Sequence, residues 1–262
     1  MQRYRIAKRF MAVVVSLMAW CGVGVAAEYD VAEQQWQRAN TLYTAGDYNG
    51  AVMVYDSIVG EGVVSHKLFY NLANAYFKSG KVGEAILYYH KAAKLAPNDD
   101  DIAYNLAYAQ SFTKDNIEEL PRSFVSNAIE SVRNLMSSNA WAVLSLVLLA
   151  LGLACGVVFV VAARRSVRKS TFVGAVVLMV ATLICVAFGG AERREILSTD
   201  EAVVLSSAAA VKSSPERTSK DLFILHEGTK VEVLDSFGEW REIRIADGNK
   251  GWIQHSAIAL ID

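Results

Sequence analysis

Two long apolar runs constrain the fold of this chain more than any other feature. Residues 141–163 and 171–190 contain no Lys, Arg, Asp, Glu or His. A helix needs about 20 residues to cross a hydrocarbon core of about 30 Å, and both runs reach that length. A soluble core helix of this length would be interrupted by polar residues. The sequence therefore predicts two transmembrane helices, and their lack of ionisable residues argues against an ion or proton path.

The short segment between the two runs, residues 164–170, predicts the orientation of the chain. It contains no acidic residue and carries the basic residues Arg164, Arg165, Arg168 and Lys169. Short basic loops remain in the cytoplasm. The regions before and after the two spans, 28–140 and 191–262, are therefore expected on the outer side of the membrane.

The first 27 residues independently predict export. Residues 1–10 carry four basic residues and no acid, and an apolar run follows that ends in Val25-Ala26-Ala27. This order is typical of a secretory signal cleaved after Ala27; an uncleaved signal anchor is the alternative. Both interpretations give the same outer location for residues 28–140.

Residues 28–115 contain a repeat with an interval of 34 residues. Six positions are followed 34 residues later by an identical or similar residue: Trp36, Ala39, Asn40, Gly46, Ala51 and Tyr55 precede Tyr70, Ala73, Asn74, Gly80, Ala85 and Tyr89. This period, with small residues inside and Gly at a turn, resembles the tetratricopeptide repeat, a helix–turn–helix unit. The copy at 66–99 is nearly complete, the copy at 32–65 is degenerate, and a lone first helix follows at about 100–113.

The resemblance implies a groove lined by the first helix of each repeat. Its candidate residues are Trp36, Asn40, Tyr70, Asn71, Asn74, Phe77 and Asn105. Asparagine amides can hydrogen-bond an extended peptide, and aromatic rings can hold its side chains. The alternative is that these asparagines only bridge the helices of the array. Members of the family that clamp a terminal carboxylate use Lys and Arg, which this chain lacks at the matching positions.

Residues 116–140 carry an amphipathic pattern. Apolar residues recur every three or four positions, at Phe124, Val125, Ala128, Ile129, Val132, Leu135 and Met136. This spacing predicts one apolar helix face. The helix is expected either to cap the last repeat or to lie on the outer membrane surface, with Arg122 and Arg133 toward the head groups.

Residues 195–262 change to a period of two, which predicts short β-strands. Residues 230–235 and 239–245 alternate, and Asp247-Gly248 indicates a tight turn. Gly228 before a strand, Trp240 within the next and Gly251-Trp252 after the turn resemble a bacterial SH3-like barrel. Such barrels bind peptides or cell-wall glycans. Trp240 and Trp252 are the candidate surface residues, and core packing is the alternative for each.

The complete order of segments resembles the BatE-type proteins of the Bacteroides aerotolerance operon. The resemblance implies a multidomain membrane protein: an α-helical tetratricopeptide solenoid, two transmembrane helices and a C-terminal all-β SH3-like barrel. It also implies a location in the bacterial inner membrane with both soluble domains in the periplasm. The implied partners are membrane-anchored von Willebrand factor A proteins and a MoxR-type AAA+ ATPase, and the implied setting is oxidative or envelope stress.

No sequence motif indicates catalysis. The four histidines have no second ligand at metal spacing, and neither HExxH, CxxC nor a Gly-rich phosphate loop occurs. The net charge of −1 gives no support for nucleic-acid binding. We therefore expect a non-enzymatic envelope scaffold without a cofactor or metal. The alternative is a peptidoglycan-binding or sensing module that acts through the barrel.

Overall fold

The computed structural model describes residues 33–117, 124–198 and 200–262, so the expected export signal at 1–27 and Arg122 lie outside the described residues. The helices are α1 at 33–44, α2 Tyr48–Gly60, α3 His66–Lys78, α4 Val82–Leu95, α5 Asp100–Gln110, α6 Phe124–Arg133, α7 Ser138–Val161 and α8 Arg165–Leu197. The strands are β1 Glu201–Val204, β2 Ala209–Lys212, β3 Asp221–Leu225, β4 Lys230–Phe237, β5 Trp240–Arg244, β6 Lys250–Gln254 and β7 Ile258–Leu260.

Helices α1 to α5 follow the predicted repeat. Ala73 and Ala85 are completely buried where α3 meets α4. Gly46 and Gly80, one repeat apart, adopt φ values of +84° and +83°. A side chain at these turns would be strained, which explains why both copies keep Gly there. Asp99 caps the start of α5, because its Oδ1 accepts from the backbone N–H groups of residues 101 and 102 at 3.0 and 3.2 Å.

Helices α7 and α8 pack against each other as a hairpin, and both are long and apolar enough to cross a membrane. Only 11% and 17% of their most apolar windows are buried, so most of their side chains face outward. A core helix of a soluble protein would be mostly buried. The predicted loop at 164–170 is shorter than expected: α8 begins at Arg165, and residues 162–164 make the connection.

The C-terminal strands form one antiparallel sheet in the order β3-β2-β6-β5-β4-β1-β7. The prediction of a closed barrel is therefore wrong, because the two edge strands β3 and β7 do not pair with each other. Ile261, just after β7, packs into the core of the repeats instead, and its carbonyl accepts from Lys94 at 2.6 Å. Helix α4 therefore packs beside the β7 edge, which in a closed barrel would pair with β3.

The predicted hairpin of the sheet is confirmed, and one strand was missed. β5 and β6 pair around a turn in which Gly248 has a φ of +92°. One face of this hairpin forms the core of the sheet, where Ile243 and Ile253 are completely buried. Strand β3 was missed because residues 222–225 are all apolar and do not alternate with polar residues. In the structure, Leu222 and Ile224 are about half exposed.

Helix α6 does not cap the last repeat. Its apolar residues are exposed, with Phe124 at 87% and Ile129 at 52%. The face of α5 that a capping helix would cover also stays open: Ala103 and Ala107 are exposed, although the equivalent Phe69 and Ala73 of α3 are buried under α4.

Candidate functional site

Two groove asparagines make the same hydrogen bond in successive repeats. Asn40 on α1 accepts through Oδ1 from the Tyr55 hydroxyl on α2 at 2.6 Å. Asn74 on α3 accepts from the Tyr89 hydroxyl on α4, also at 2.6 Å. The two bonds join the first and second helices of each repeat. Burial raises the pKa of Tyr55 to about 12, so its hydroxyl remains a donor at neutral pH.

The same bonds determine which amide atoms remain for a ligand. Because the tyrosine hydroxyls donate, the asparagine oxygens are occupied and the Nδ2 groups are the remaining donors. Asn40 and Asn74 line a cavity of about 230 Å³ together with Asn71 and Tyr43. Asn71 donates to Asn40 Oδ1 at 3.4 Å, a long bond. The predicted groove residues therefore both bridge helices and present N–H donors that suit carbonyl oxygens.

Three other predicted groove residues contribute to packing. Asn105 on α5 donates through Nδ2 to the Tyr70 hydroxyl at 2.7 Å and to the Asp101 carbonyl at 2.9 Å, which joins α5 to α3. Trp36 packs edge-on against Tyr55 with ring centroids 5.6 Å apart. These contacts stabilise the walls of the groove.

Phe77 belongs to an aromatic cluster that the sequence did not predict. Its ring lies 5.6 Å from Tyr108 and 5.3 Å from Phe112, and those two rings lie 5.1 Å apart. Tyr108 and Phe112 are 50% and 56% exposed. The sequence did offer a signal for this cluster. Helix α5 is the first helix of a repeat without a second helix, so the aromatic side chains on its open side are left uncovered.

A half-buried carboxylate joins the two repeats. Asp56 on α2 accepts from the Tyr76 hydroxyl on α3 at 2.5 Å and, more weakly, from Tyr88 on α4 at 3.5 Å. Burial raises the pKa of Asp56, although the two hydroxyls oppose this shift. Tyr76 therefore joins the second repeat to the first.

The sheet rests on the repeats through the segment that follows α5. Asp115 Oδ2 accepts from the His226 backbone N–H at 2.7 Å and from the Thr229 hydroxyl at 2.8 Å, and Oδ1 lies 2.7 Å from His226 Nδ1. Lys114 Nζ, which can only donate, lies 3.1 Å from His226 Nε2. The imidazole therefore accepts at Nε2 and donates from Nδ1 to the carboxylate. Burial raises the pKa of Asp115, but these hydrogen bonds outweigh it and hold the pKa below its usual range.

Apolar contacts complete this interface between the sheet and α4. Val203 of β1 and Ile261 belong to the same buried cluster as Ile86 of α4. Gly228, with a φ of +85°, allows the closest approach: a Cβ there would lie 2.7 Å from Ile86 Cδ1 and 2.5 Å from Thr113 Cγ2. The repeats and the sheet thus form one packed unit.

Helix α4 also contacts the end of the hairpin at which α8 finishes. Lys94 donates to the Ser198 carbonyl at 2.5 Å, just after α8. His90 on α4 lines a cavity of about 420 Å³ at this junction, and its Nε2 is buried without a hydrogen-bond partner among the described residues. Burial, aided by the charge of Lys230, lowers the pKa of His90 to about 3, so the ring is neutral.

The two predicted surface tryptophans share one face of the sheet. Trp252 on β6 pairs with Glu242 on β5, and Glu242 lies on the same face of β5 as Trp240, two residues earlier. The core residues Ile243 and Ile253 belong to the opposite face of the two strands. Trp240 is nevertheless only 8% exposed, whereas Trp252 is half-buried. Trp252 is therefore the more exposed of the two rings.

The four basic residues of the predicted topology signal lie where α7 and α8 are connected, at the end of the hairpin away from the repeats and the sheet. Arg164, Arg165, Arg168 and Lys169 are all exposed there, and Arg168 lies 5.1 Å above the Phe159 ring.

Comparison with known protein families matches residues 66–99 to the tetratricopeptide repeat. This range coincides with the copy that the 34-residue interval defined. A comparison with curated proteins finds no match. The matched segment is one repeat of a longer chain, and a repeat of this type suggests a role in binding other proteins.

Proposed function

We propose that this chain is a non-catalytic scaffold that binds partner proteins at the bacterial envelope. The observation that carries the proposal is the pair of amide donors on Asn40 and Asn74, one repeat apart and lining the same cavity. Donors repeated along a groove fit the repeated carbonyl groups of an extended peptide. The sheet covers α4 and leaves this groove uncovered.

The membrane arrangement is part of the same proposal. The α7–α8 hairpin crosses the inner membrane, its basic end stays in the cytoplasm, and the repeats and sheet face the periplasm. The outward apolar side chains of both helices and the four exposed basic residues support this orientation.

We also propose that the sheet is a variant of the SH3-like fold and that the chain acts as a BatE-type protein. The pairing of the last strand, β7, with the first, β1, supports an SH3-like topology. The proposed partners are then membrane-anchored von Willebrand factor A proteins and a MoxR-type ATPase complex, in a response to oxidative or envelope stress.

The test of the groove uses an isosteric change. Asn40→Asp with Asn74→Asp keeps an oxygen to accept from each tyrosine but removes the Nδ2 donors. A photo-crosslinker at Thr44, which lines the cavity, is used with the full-length protein in its native membrane. We expect specific crosslinked proteins with the wild-type groove and their loss in the double variant. Asn116→Asp, on the exposed linker, makes the same chemical change outside the groove and should leave the crosslinks intact. Crosslinks that persist in the double variant would exclude the groove as the contact.

A second candidate function, binding of peptidoglycan by the sheet, is favoured by the accessible ring of Trp252. Full-length protein in mild detergent is incubated with purified sacculi and sedimented. This function requires retention of the wild type and reduced retention of Trp252→Ala. If the wild type stays in the supernatant, the sheet does not bind the wall.

A further inference from the structure

Helix α6 has an apolar face that the described residues leave largely exposed. Val125, Ile129 and Val132 recur at the spacing of one helix face and are 64%, 52% and 45% exposed. Leu135, just after the helix, is 72% exposed. A face this apolar is costly to leave in water, at about 25 cal/mol per Å².

The position of α6 is set by the first turn of α7. The Trp141 indole Nε1 donates to the Arg133 carbonyl, the last residue of α6, at 2.9 Å. In one continuous helix, residues eight apart would be separated by about 12 Å along the axis. The chain therefore turns sharply between α6 and α7, and α6 does not simply extend α7 away from the hairpin.

The same turn is held to α8. Ser138 donates to the Gly189 carbonyl at 3.0 Å, and the Trp141 ring lies 5.3 Å from Phe188. The end of α6 thus lies where both hairpin helices reach their outer limit. The exposed apolar surface of the hairpin begins only two residues beyond Trp141, at Val143, which is 62% exposed. The apolar surfaces of α6 and the hairpin are therefore adjacent.

We propose that α6 lies in the outer leaflet of the membrane, with its apolar face in the lipid at the boundary between head groups and acyl chains. The occupant of this face is phospholipid, because the face adjoins the surface that the hairpin presents to lipid. An interfacial helix of this kind buries its apolar side about 5–10 Å deep. The inference rests on the proposed membrane-spanning hairpin.

This arrangement gives α6 a role in positioning the groove. Asn98, in the turn between α4 and α5, donates to the Asn134 carbonyl at the end of α6. A helix held at the interface therefore fixes the height and tilt of the repeats above the membrane. Partners that are themselves membrane-anchored would meet the groove at a fixed distance from the lipid.

The test measures depth in the membrane with the full-length protein. The three native cysteines are replaced by Ala, and a single cysteine carries a polarity-sensitive fluorophore at Ile129. The protein is reconstituted into phosphatidylcholine–phosphatidylglycerol vesicles that contain a nitroxide quencher either near the head group or near the end of the acyl chain. Two exposed apolar positions serve as controls: Val64 on the repeats and Leu153 in the middle of α7.

We expect the Ile129 label to lose fluorescence with the shallow quencher, the Leu153 label with the deep quencher and the Val64 label with neither. An Ile129 label that behaves like the Val64 label, beside a Leu153 label quenched by the deep probe, overturns the interfacial helix and leaves the hairpin proposal intact. A Leu153 label that escapes both quenchers overturns the hairpin proposal itself.

A second measurement addresses the competing arrangement, in which α6 covers α5. Ile129→Cys combined with Ala107→Cys places one thiol on each open face. Efficient disulfide formation in vesicles under mild oxidation would overturn the proposal, because α6 would then leave the lipid. We expect both thiols to remain available to a maleimide after detergent is added.

Discussion

The carboxylate of Asp115 is expected to hold the sheet on the repeats. Asp115→Ala removes the acceptor of three hydrogen bonds, two from His226 and one from Thr229. A hydrogen bond to a charged group contributes about 1.5–3 kcal/mol when it is buried. The side chains of Asp115 and His226 are 14% and 20% exposed, so water will replace part of what is lost. We therefore expect the interface to weaken by about 3 kcal/mol in total.

Amide hydrogen exchange measures this local opening without requiring the protein to unfold. A change of about 3 kcal/mol corresponds to about a hundredfold loss of protection, since 1.4 kcal/mol is tenfold. The loss should appear at residues 111–117 and 226–231 and should spare the α1–α2 pair. Thr229→Val removes one of the three hydrogen bonds. It should therefore weaken the interface by only about 1 kcal/mol.

The matched control is Asp235→Ala, which removes an exposed carboxylate whose hydrogen bond, within the part of the chain that the structure describes, is to the N–H of its neighbour Ser236. It should leave exchange at the interface unchanged. If Asp115→Ala also leaves protection unchanged at both segments, or if the control lowers it equally, the carboxylate does not hold the two parts together.

Three further predictions concern the interface, the groove and the junction. Gly228→Ala should destabilise the interface by about 2–4 kcal/mol, the cost of a positive φ plus the contact with Ile86, measured by the same exchange experiment. Tyr89→Phe should lower the free energy of unfolding by about 1 kcal/mol in urea, since it leaves Asn74 Oδ1 without its donor. His90 has a lowered pKa, so the folded state binds fewer protons than the unfolded state. Stability should fall by up to about 1.4 kcal/mol per pH unit as the pH drops below 6.5, and His90→Gln should remove this slope in thermal melts between about pH 6 and 5, above the range in which carboxylates such as Asp115 take up protons.

Two of these predictions have a control within the chain. Gly238 also has a positive φ but has open space around its Cβ position, so Gly238→Ala should cost only the backbone term. Tyr104 is 72% exposed, and Tyr104→Phe should leave unfolding unchanged. Equal effects at Gly228 and Gly238, an unchanged urea midpoint for Tyr89→Phe, or an acid slope that survives in His90→Gln would each contradict the corresponding reasoning.

The parts of the fold that depend on local pattern could be predicted from the sequence. The interval between Gly46 and Gly80 predicted the helix pairs, because a turn is decided within a few residues. The two apolar runs predicted the hairpin helices, because length and composition alone decide whether a segment can cross a membrane. The extension of α8 back to Arg165 was missed, since a basic segment can be loop or helix until the packing of its neighbours is known.

The features that depend on distant contacts could not be predicted. An open sheet and a closed barrel have the same alternating strands, and only the placement of Ile261 against α4 separates them. The docking of Asp115 on His226 spans 111 residues of sequence and depends on the close approach at Gly228. The groove asparagines could be located by register, but the repeat pattern did not reveal that their oxygens are already bonded to Tyr55 and Tyr89.

Helix α4 is in contact with α3, with the sheet and with the end of α8, so little of its surface is free to change. In related chains, we expect this helix to diverge more slowly than α2, whose outer side includes the 70%-exposed Met53. Compensating pairs of substitutions should link the position of Ile86 to that of Gly228. An alignment of homologous sequences would show both the slower divergence of α4 and these correlated substitutions.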